Sequence, residues 1–337
     1  MKVIDPSFSV LDEFFVHGRL LEQIERCGRV CYKSEDRIST ESARPFIKGI
    51  IKRGHESVLE MAQIVLEIEV DSELTMHKFF ERIPRFCQVD KLERKQYLLS
   101  GNPRVFRDLA RHHRDLKVVK AVLKRLTEFH PVLFEDLVPR FGWVPQDGIV
   151  VRVLPSEEIE NLPLEQLIRH RVLLVHLIIN RAVSHELVRH RVASYLQESQ
   201  RYCRYGEARF GGEVVFIRPC FFKEGSDEYL LWSDAMSQAE GIYLKLLKTS
   251  SPQAARTALP NSCKTEIMVH ATIEEWMHIM RLRTSKAADP SMREIMLALL
   301  PEFERRFSAI FGPIRDSLSP ENCKRSQGTA SALLSGT

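Results

Sequence analysis

The sequence predicts an α+β protein in which helices dominate and strands are few and short. Three observations carry this. Stretches at 8–30, 226–250 and 272–312 repeat apolar residues at helical spacing. The run Ile64-Val65-Leu66-Glu67-Ile68-Glu69-Val70 is rich in β-branched residues, with Glu67 and Glu69 alternating outward. Val172 to Ile179 is an apolar run of strand length, closed by Asn180.

In chain order, the 8–30 helix presents Leu11, Phe15, Leu20, Leu21 and Ile24 on one face. A second helix spans Ser42 to Arg53 and stops at Gly54, which supplies a C-cap. After the 64–70 strand comes a helix near Leu116–Phe129, then the Pro/Gly-rich stretch from Phe141 to Gly148. Asn180 is placed to cap a helix running through Ala182, Val183, Leu187 and Val188 to His190. The tail 326–337, rich in Ser, Gly, Thr and Ala, predicts disorder.

At 337 residues and 44% hydrophobic, the chain can bury a large core. Lys plus Arg number 49 against 45 Asp plus Glu, so basic charge is arranged locally. That favours a discrete anion site over a nucleic-acid coating. The seven cysteines are odd in number and scattered; only Cys27 and Cys31 are close, without metal-ligand neighbours. They read as thiols of a reducing compartment, with no metal site. Neither the N-terminus nor any apolar run reads as a signal peptide or membrane span, so a cytoplasmic protein is expected.

The densest chemistry lies at Arg189-His190-Arg191, followed after seven residues by Ser199-Gln200-Arg201-Tyr202. Guanidinium forks beside a hydroxyl suit phosphate oxygens and the polar edge of a heterocycle. Upstream, Gly54-His55-Glu56-Ser57-Val58-Leu59-Glu60 sets an imidazole, a hydroxyl and a carboxylate close together. Downstream, Arg256-Thr257-Ala258-Leu259-Pro260 forms a turn, and Leu282-Arg283 lies on the next helix. Arg152-Val153-Leu154-Pro155 copies that turn but precedes the arginine motif, so it is set aside.

In this order and spacing the four elements resemble the flavin-dependent thymidylate synthases. The resemblance implies helices packed on a small antiparallel sheet, in one domain over 1–325. It also implies that 71–170 is an insertion, an extra helical lobe beside the core, because such a family brings the two strands closer together. Implied partners are FAD, NADPH, methylenetetrahydrofolate and dUMP, in a homotetramer with neither nucleic acid nor membrane. Implied nucleotide contacts are Glu186, Arg189, Gln197, Ser199, Gln200, Arg201, Arg256 and Arg283, with Arg283 also catalytic. Implied flavin contacts are His55, Ser57, Glu60, Arg189, His190, Arg191, Gln197, Thr272 and His278.

The chain departs from that pattern at several positions. Leu196 stands where Asn or Ser is usual, Glu186 where Gln is frequent, and Met61 where His often stands. Thr272 and Glu274 replace an Asn-x-Arg flavin contact, and Gly101-Asn102-Pro103-Arg104 looks like that contact displaced. Two other readings stay open: a related flavin enzyme acting on another pyrimidine such as dCMP, or by hydroxymethyl transfer, and a non-catalytic protein holding RNA or DNA. No aromatic platform or basic stripe accompanies the arginines, as the latter would need.

Overall fold

The computed structural model describes residues 1–318, so the tail expected to be disordered lies outside the described residues. The strands are β1 (Lys2–Ile4), β2 (Ser7–Val10), β3 (Ile64–Val70), β4 (Cys87–Glu93), β5 (Gln96–Gly101), β6 (Ile149–Val153), β7 (Val172–Asn180), β8 (Ala193–Gln197), β9 (Val215–Ile217) and β10 (Lys264–Thr272). Two four-stranded antiparallel sheets run in the orders β2-β7-β10-β8 and β4-β5-β3-β6, and β1 pairs with β9 in parallel. The class is α+β, as expected.

The first sheet carries the site, and both its faces are covered. Leu173, Val175, Leu177, Ile267 and Val269 pack with Trp276, Phe303 and Phe311 from the C-terminal helices. Leu174, Leu196 and Met268 turn the other way into a second core, shared with the helices Leu20–Tyr32 and Lys117–Phe129. A strand buried on both faces has no polar side to alternate with, which is why β7 is apolar from Val172 to Ile179 except for His176, which is paired with Glu266.

Three expectations need correction. The 8–30 stretch is not one helix but a strand, a short helix Glu13–Val16 and the helix Leu20–Tyr32, because Ser7–Val10 pairs with β7 and Gly18 takes a left-handed φ of 62°. Strand β10 was not foreseen: Lys264, Glu266 and His270 hide its β pattern. Inside the fold these charges answer one another, since Lys264 Nζ lies 2.8 Å from Glu198 and 2.7 Å from Glu266. Finally, 272–312 is three helices, Ile273–Arg283, Pro290–Arg306 and Ser308–Ser317. The break falls where Asp289 caps a new helix through Ser291 N, at 2.9 Å.

The 71–170 segment is more than helical. It supplies β4, β5 and β6, which flank β3 to complete the second sheet. Its helix Pro103–His112 is capped by Asn102, whose Oδ1 accepts from Val105 N at 2.9 Å. From that helix the fully buried Arg107 reaches Glu56 at 3.0 Å and Asp136 at 2.6 Å. The segment is thus fastened directly under the His55–Glu60 element.

Candidate active site

Asn180 caps the helix Arg181–Leu187 as expected, accepting from Val183 N at 2.8 Å. The helix ends before the arginine motif, so Arg189 and His190 lie in the turn that follows. Arg283 is the last residue of its helix and points at that turn. Its Nε donates to His190 Nε2 at 2.9 Å, and its Nη1 pairs with Glu186 Oε2 at 2.8 Å. The His278 ring stands edge-on to His190, 5.8 Å between centroids. The structure therefore gathers Glu186, His190, His278 and Arg283.

Because His190 Nε2 accepts from a guanidinium, the ring is neutral with its proton on Nδ1. Burial, then the charges of Arg283, His278 and Arg191, push its pKa down to about 4. His270, also buried, is pushed down to about 3 by burial and by Arg171. A depressed histidine pKa stabilises the fold above the unfolded value of about 6.5, and that stability is lost as pH falls below it. Between pH 6.5 and 4 the unfolded chain gains protons on these rings before the folded protein does. Unfolding free energy is expected to drop by up to about 1.4 kcal/mol per pH unit for each ring. Urea titrations at pH 7 and pH 5 check this; equal stabilities would contradict it.

A second group forms beyond β8. Ser199 N donates to the Cys31 carbonyl at 3.1 Å, placing the Ser199–Arg201 turn on the end of the helix Leu20–Tyr32. Tyr202 packs edge-on to Tyr32 at 5.4 Å, the Arg201 guanidinium lies 5.6 Å from the Tyr202 ring, and Tyr32 Oη is 3.4 Å from His55 Nδ1. His55, Ser57, Arg189 and Arg201 are exposed, whereas Gln200 is buried. Gln197 Nε2 is taken up internally, by Ser184 at 2.9 Å and Thr265 at 3.0 Å. Arg256 sits in a single turn, Arg256–Ala258, with no side-chain hydrogen bond or ion pair among the described residues. Nothing in one chain ties it to either group.

A cavity of about 220 Å³ opens beside the motif, lined by Arg191, Ser194, His270 and Thr272 together with Arg85 and Asn102 from the 71–170 segment. Glu60 braces its rim: Oε2 accepts from Ser194 at 3.0 Å and Oε1 from Arg104 at 2.5 Å. Of the displaced Gly-Asn-x-Arg candidates, Asn102 therefore lines the cavity while Arg104 is held by Glu60. His270 Nε2 and Glu275 Oε1 are buried there without hydrogen-bond partners. An unpartnered acceptor near a guanidinium suits a heterocyclic N–H edge carrying phosphate, the groups a flavin nucleotide presents. Sequence reasoning missed His270, which belongs to no motif and sits in the strand that its charged neighbours disguised. It also missed Tyr32, visible only through its contacts.

Among the described residues no helix is long and apolar enough to cross a membrane. Comparison with known proteins fits the geometry. The chain is 34% identical over 128 residues to the flavin-dependent thymidylate synthase of Pyrococcus abyssi, covering 38% of this chain and 52% of that protein. It is 31% identical over 148 residues to that of Corynebacterium efficiens, covering 40% and 58%. The chain thus spans about half the length of the curated relatives it matches. The sequence model of the thymidylate synthase complementing protein family matches residues 19–89 and 158–307, passing over most of the 71–170 segment. With that match covering well over half of its length, the chain belongs to the thymidylate synthase complementing protein family.

Proposed function

We propose that the protein converts dUMP to dTMP by reductive methylation, with methylenetetrahydrofolate as carbon donor and NADPH reducing bound FAD. The observation that carries this reading is the Arg283 guanidinium, aimed by Glu186 and by the neutral His190. The uracil ring becomes nucleophilic at C5 as N3 loses its proton or the ring gains equivalent negative charge. A guanidinium already fixed in direction favours that anion without reorganising. The methylene carbon bonds to C5 as the C5 proton leaves, and tetrahydrofolate departs. FAD held at this site would supply the hydride that completes the methyl group, after reduction by NADPH, which would leave as NADP⁺.

Ser199, Gln200, Arg201 and Arg256 hold the nucleotide, its phosphate paired to guanidinium forks. Ser199 has no base and acid relay around it, so it binds through its hydroxyl and forms no covalent bond to substrate. His55, Ser57, Arg189 and Arg191 provide exposed donors and acceptors for the flavin. Arg256 and Arg283 share no hydrogen bond or ion pair with the Ser199–Arg201 turn within one chain. That separation supports sites completed between copies in a homotetramer.

The purified protein is expected to be yellow, to oxidise NADPH faster when dUMP is present, and to form dTMP. A colourless protein that gains no flavin on reconstitution would overturn the reading. Turnover of dCMP in place of dUMP would move it to the other pyrimidine.

A further inference from the structure

A second cavity, of about 520 Å³, lies between the N-terminal segment, the start of β3 and the 71–170 segment. None of the residues proposed to hold the pyrimidine or the flavin lines it. It meets the cavity beside Arg191 only at Gln63 and Val172, which line both. Its volume falls within the range of small-molecule sites, about 300–1,000 Å³.

The wall carries no charge. In a chain with 28% charged residues, no lysine, arginine, aspartate or glutamate among the described residues lines this cavity. Two guanidinium groups stop short of it behind aromatic rings. Arg171 lies 3.6 Å from the Phe15 centroid, but the ring lines the cavity and the arginine does not, its charge being met by Asp12 and Glu160. Arg19 stands behind Phe14 in the same way, 5.2 Å from that centroid. An ionised ligand would lose its water here and find no counter-charge, which strongly disfavours it.

The wall is also rich in rings. Phe14, Phe15 and Phe129 line it, and His130 stands edge-on to Phe129 with 5.4 Å between centroids. Burial holds the His130 pKa below its ordinary value, so that ring is neutral as well. Such a lining favours a flat ring over an alkyl chain, because ring pairs add attraction beyond the area they bury. Two amides give the space a polar edge. Gln23, 5% exposed, donates from Nε2 to the Met61 carbonyl at 2.7 Å, which leaves its side-chain oxygen as an acceptor. Gln63 makes no side-chain hydrogen bond among the described residues. Ser156 is committed elsewhere: its hydroxyl donates to the Val16 carbonyl at 3.1 Å, fastening the 71–170 segment to the N-terminal wall.

We propose that this cavity binds a neutral aromatic molecule of one or two rings with a single O–H or N–H donor, of the phenol or indole class. Its ring packs on the phenylalanines and its donor meets the Gln23 oxygen. An occupant bridges the N-terminal segment and the 71–170 segment, so binding stabilises the folded chain by mass action. The site is independent of the flavin reading and stands or falls without it.

Calorimetry of the full chain at pH 7 with 2-naphthol, 2-naphthoate and 1-octanol tests this. The first is a neutral ring with a hydroxyl, the second carries a charge on the same ring system, and the third has the hydroxyl without the ring. 2-Naphthol is expected to bind saturably at one site per chain and to raise the melting temperature. The other two should bind at least tenfold more weakly. Leu154→Trp fills the cavity and should weaken 2-naphthol at least tenfold. Val16→Trp, at a wall residue that is 52% exposed, should do the same and keeps the test valid if the change at buried Leu154 disturbs folding. Absence of saturable 2-naphthol binding up to its solubility limit would overturn the proposal, as would equal affinity for 2-naphthoate or 1-octanol. So would unchanged 2-naphthol affinity in whichever of the two variants melts as wild type does.

Discussion

Arg283→Ala is expected to lower the rate of dTMP formation at saturating dUMP by roughly a hundred- to a thousandfold. The figure is that of removing one preorganised donor from a developing anion, about 3–4 kcal/mol. Three features of the site make this residue hard to replace. Its direction is set by Glu186 and by the lone pair of His190, two groups that reach it from one turn of chain. It ends a helix whose other face is pinned by Trp276 in the core, so its base does not drift. Lysine would supply charge but neither the Nε donor to His190 nor the planar fork, so Arg283→Lys is also expected to be poor. FAD binding and NADPH oxidation without dUMP should survive, because neither involves the uracil. A dTMP rate within threefold of wild type would remove Arg283 from the mechanism.

Much of this arrangement was legible in residue order, and the reasons for success and failure are physical. Strand β7 could be read because burial on both faces leaves a strong apolar signal, broken between Val172 and Ile179 only by His176. Its neighbour β10 could not, because His270 interrupts the pattern and because Lys264 and Glu266 are paired there with Glu198 and His176, which are distant in sequence. Strand β2 was lost because Phe8 and Val10, read together with Leu11 and Phe15, also satisfy a helical period over a short window. Gly18 was the available clue to a break.

For the candidate site, the motifs mark neighbourhoods in the chain but not the pairings between them. Glu186 and Arg283 are 97 residues apart, and no spacing rule connects them. Strands β7 and β10 are antiparallel neighbours, so the helices that follow them start at opposite ends of the sheet, and the salt bridge closes where the two helices come together. The Gly101–Arg104 string shows the opposite limit. Asn102 of that string lines the cavity beside Arg191, while Arg104 turns away to Glu60. Only the packing decides which residues of the string line the cavity.

The largest expected loss of stability comes from Asp12→Ala, at a position no motif marks. Arg171, fully buried, is held by Asp12 Oδ1 at 2.7 Å and Glu160 Oε1 at 2.8 Å, with Nη1 donating to the Val172 carbonyl. Its guanidinium lies 3.6 Å from the centroid of Phe15, so it is stacked as well as paired. Asp12 is itself 6% exposed and also accepts from Arg306 at 3.2 Å. One carboxylate thus joins the N-terminal segment, the start of β7 and the helix Pro290–Arg306. Removing it leaves the guanidinium in a low-dielectric site with Glu160, which is partly open to water, as its remaining anion. Breaking one side of such a buried pair costs about 3–5 kcal/mol, a large part of a typical folding free energy of about 5–15 kcal/mol. Asp12→Asn keeps the shape and an acceptor and should lose less. The double variant Asp12→Ala with Arg171→Met should recover stability relative to Asp12→Ala alone, because it removes the stranded charge. Urea midpoints at pH 7 measure all three, and a loss below 1 kcal/mol for Asp12→Ala would show that Glu160 and Val172 alone suffice to hold Arg171.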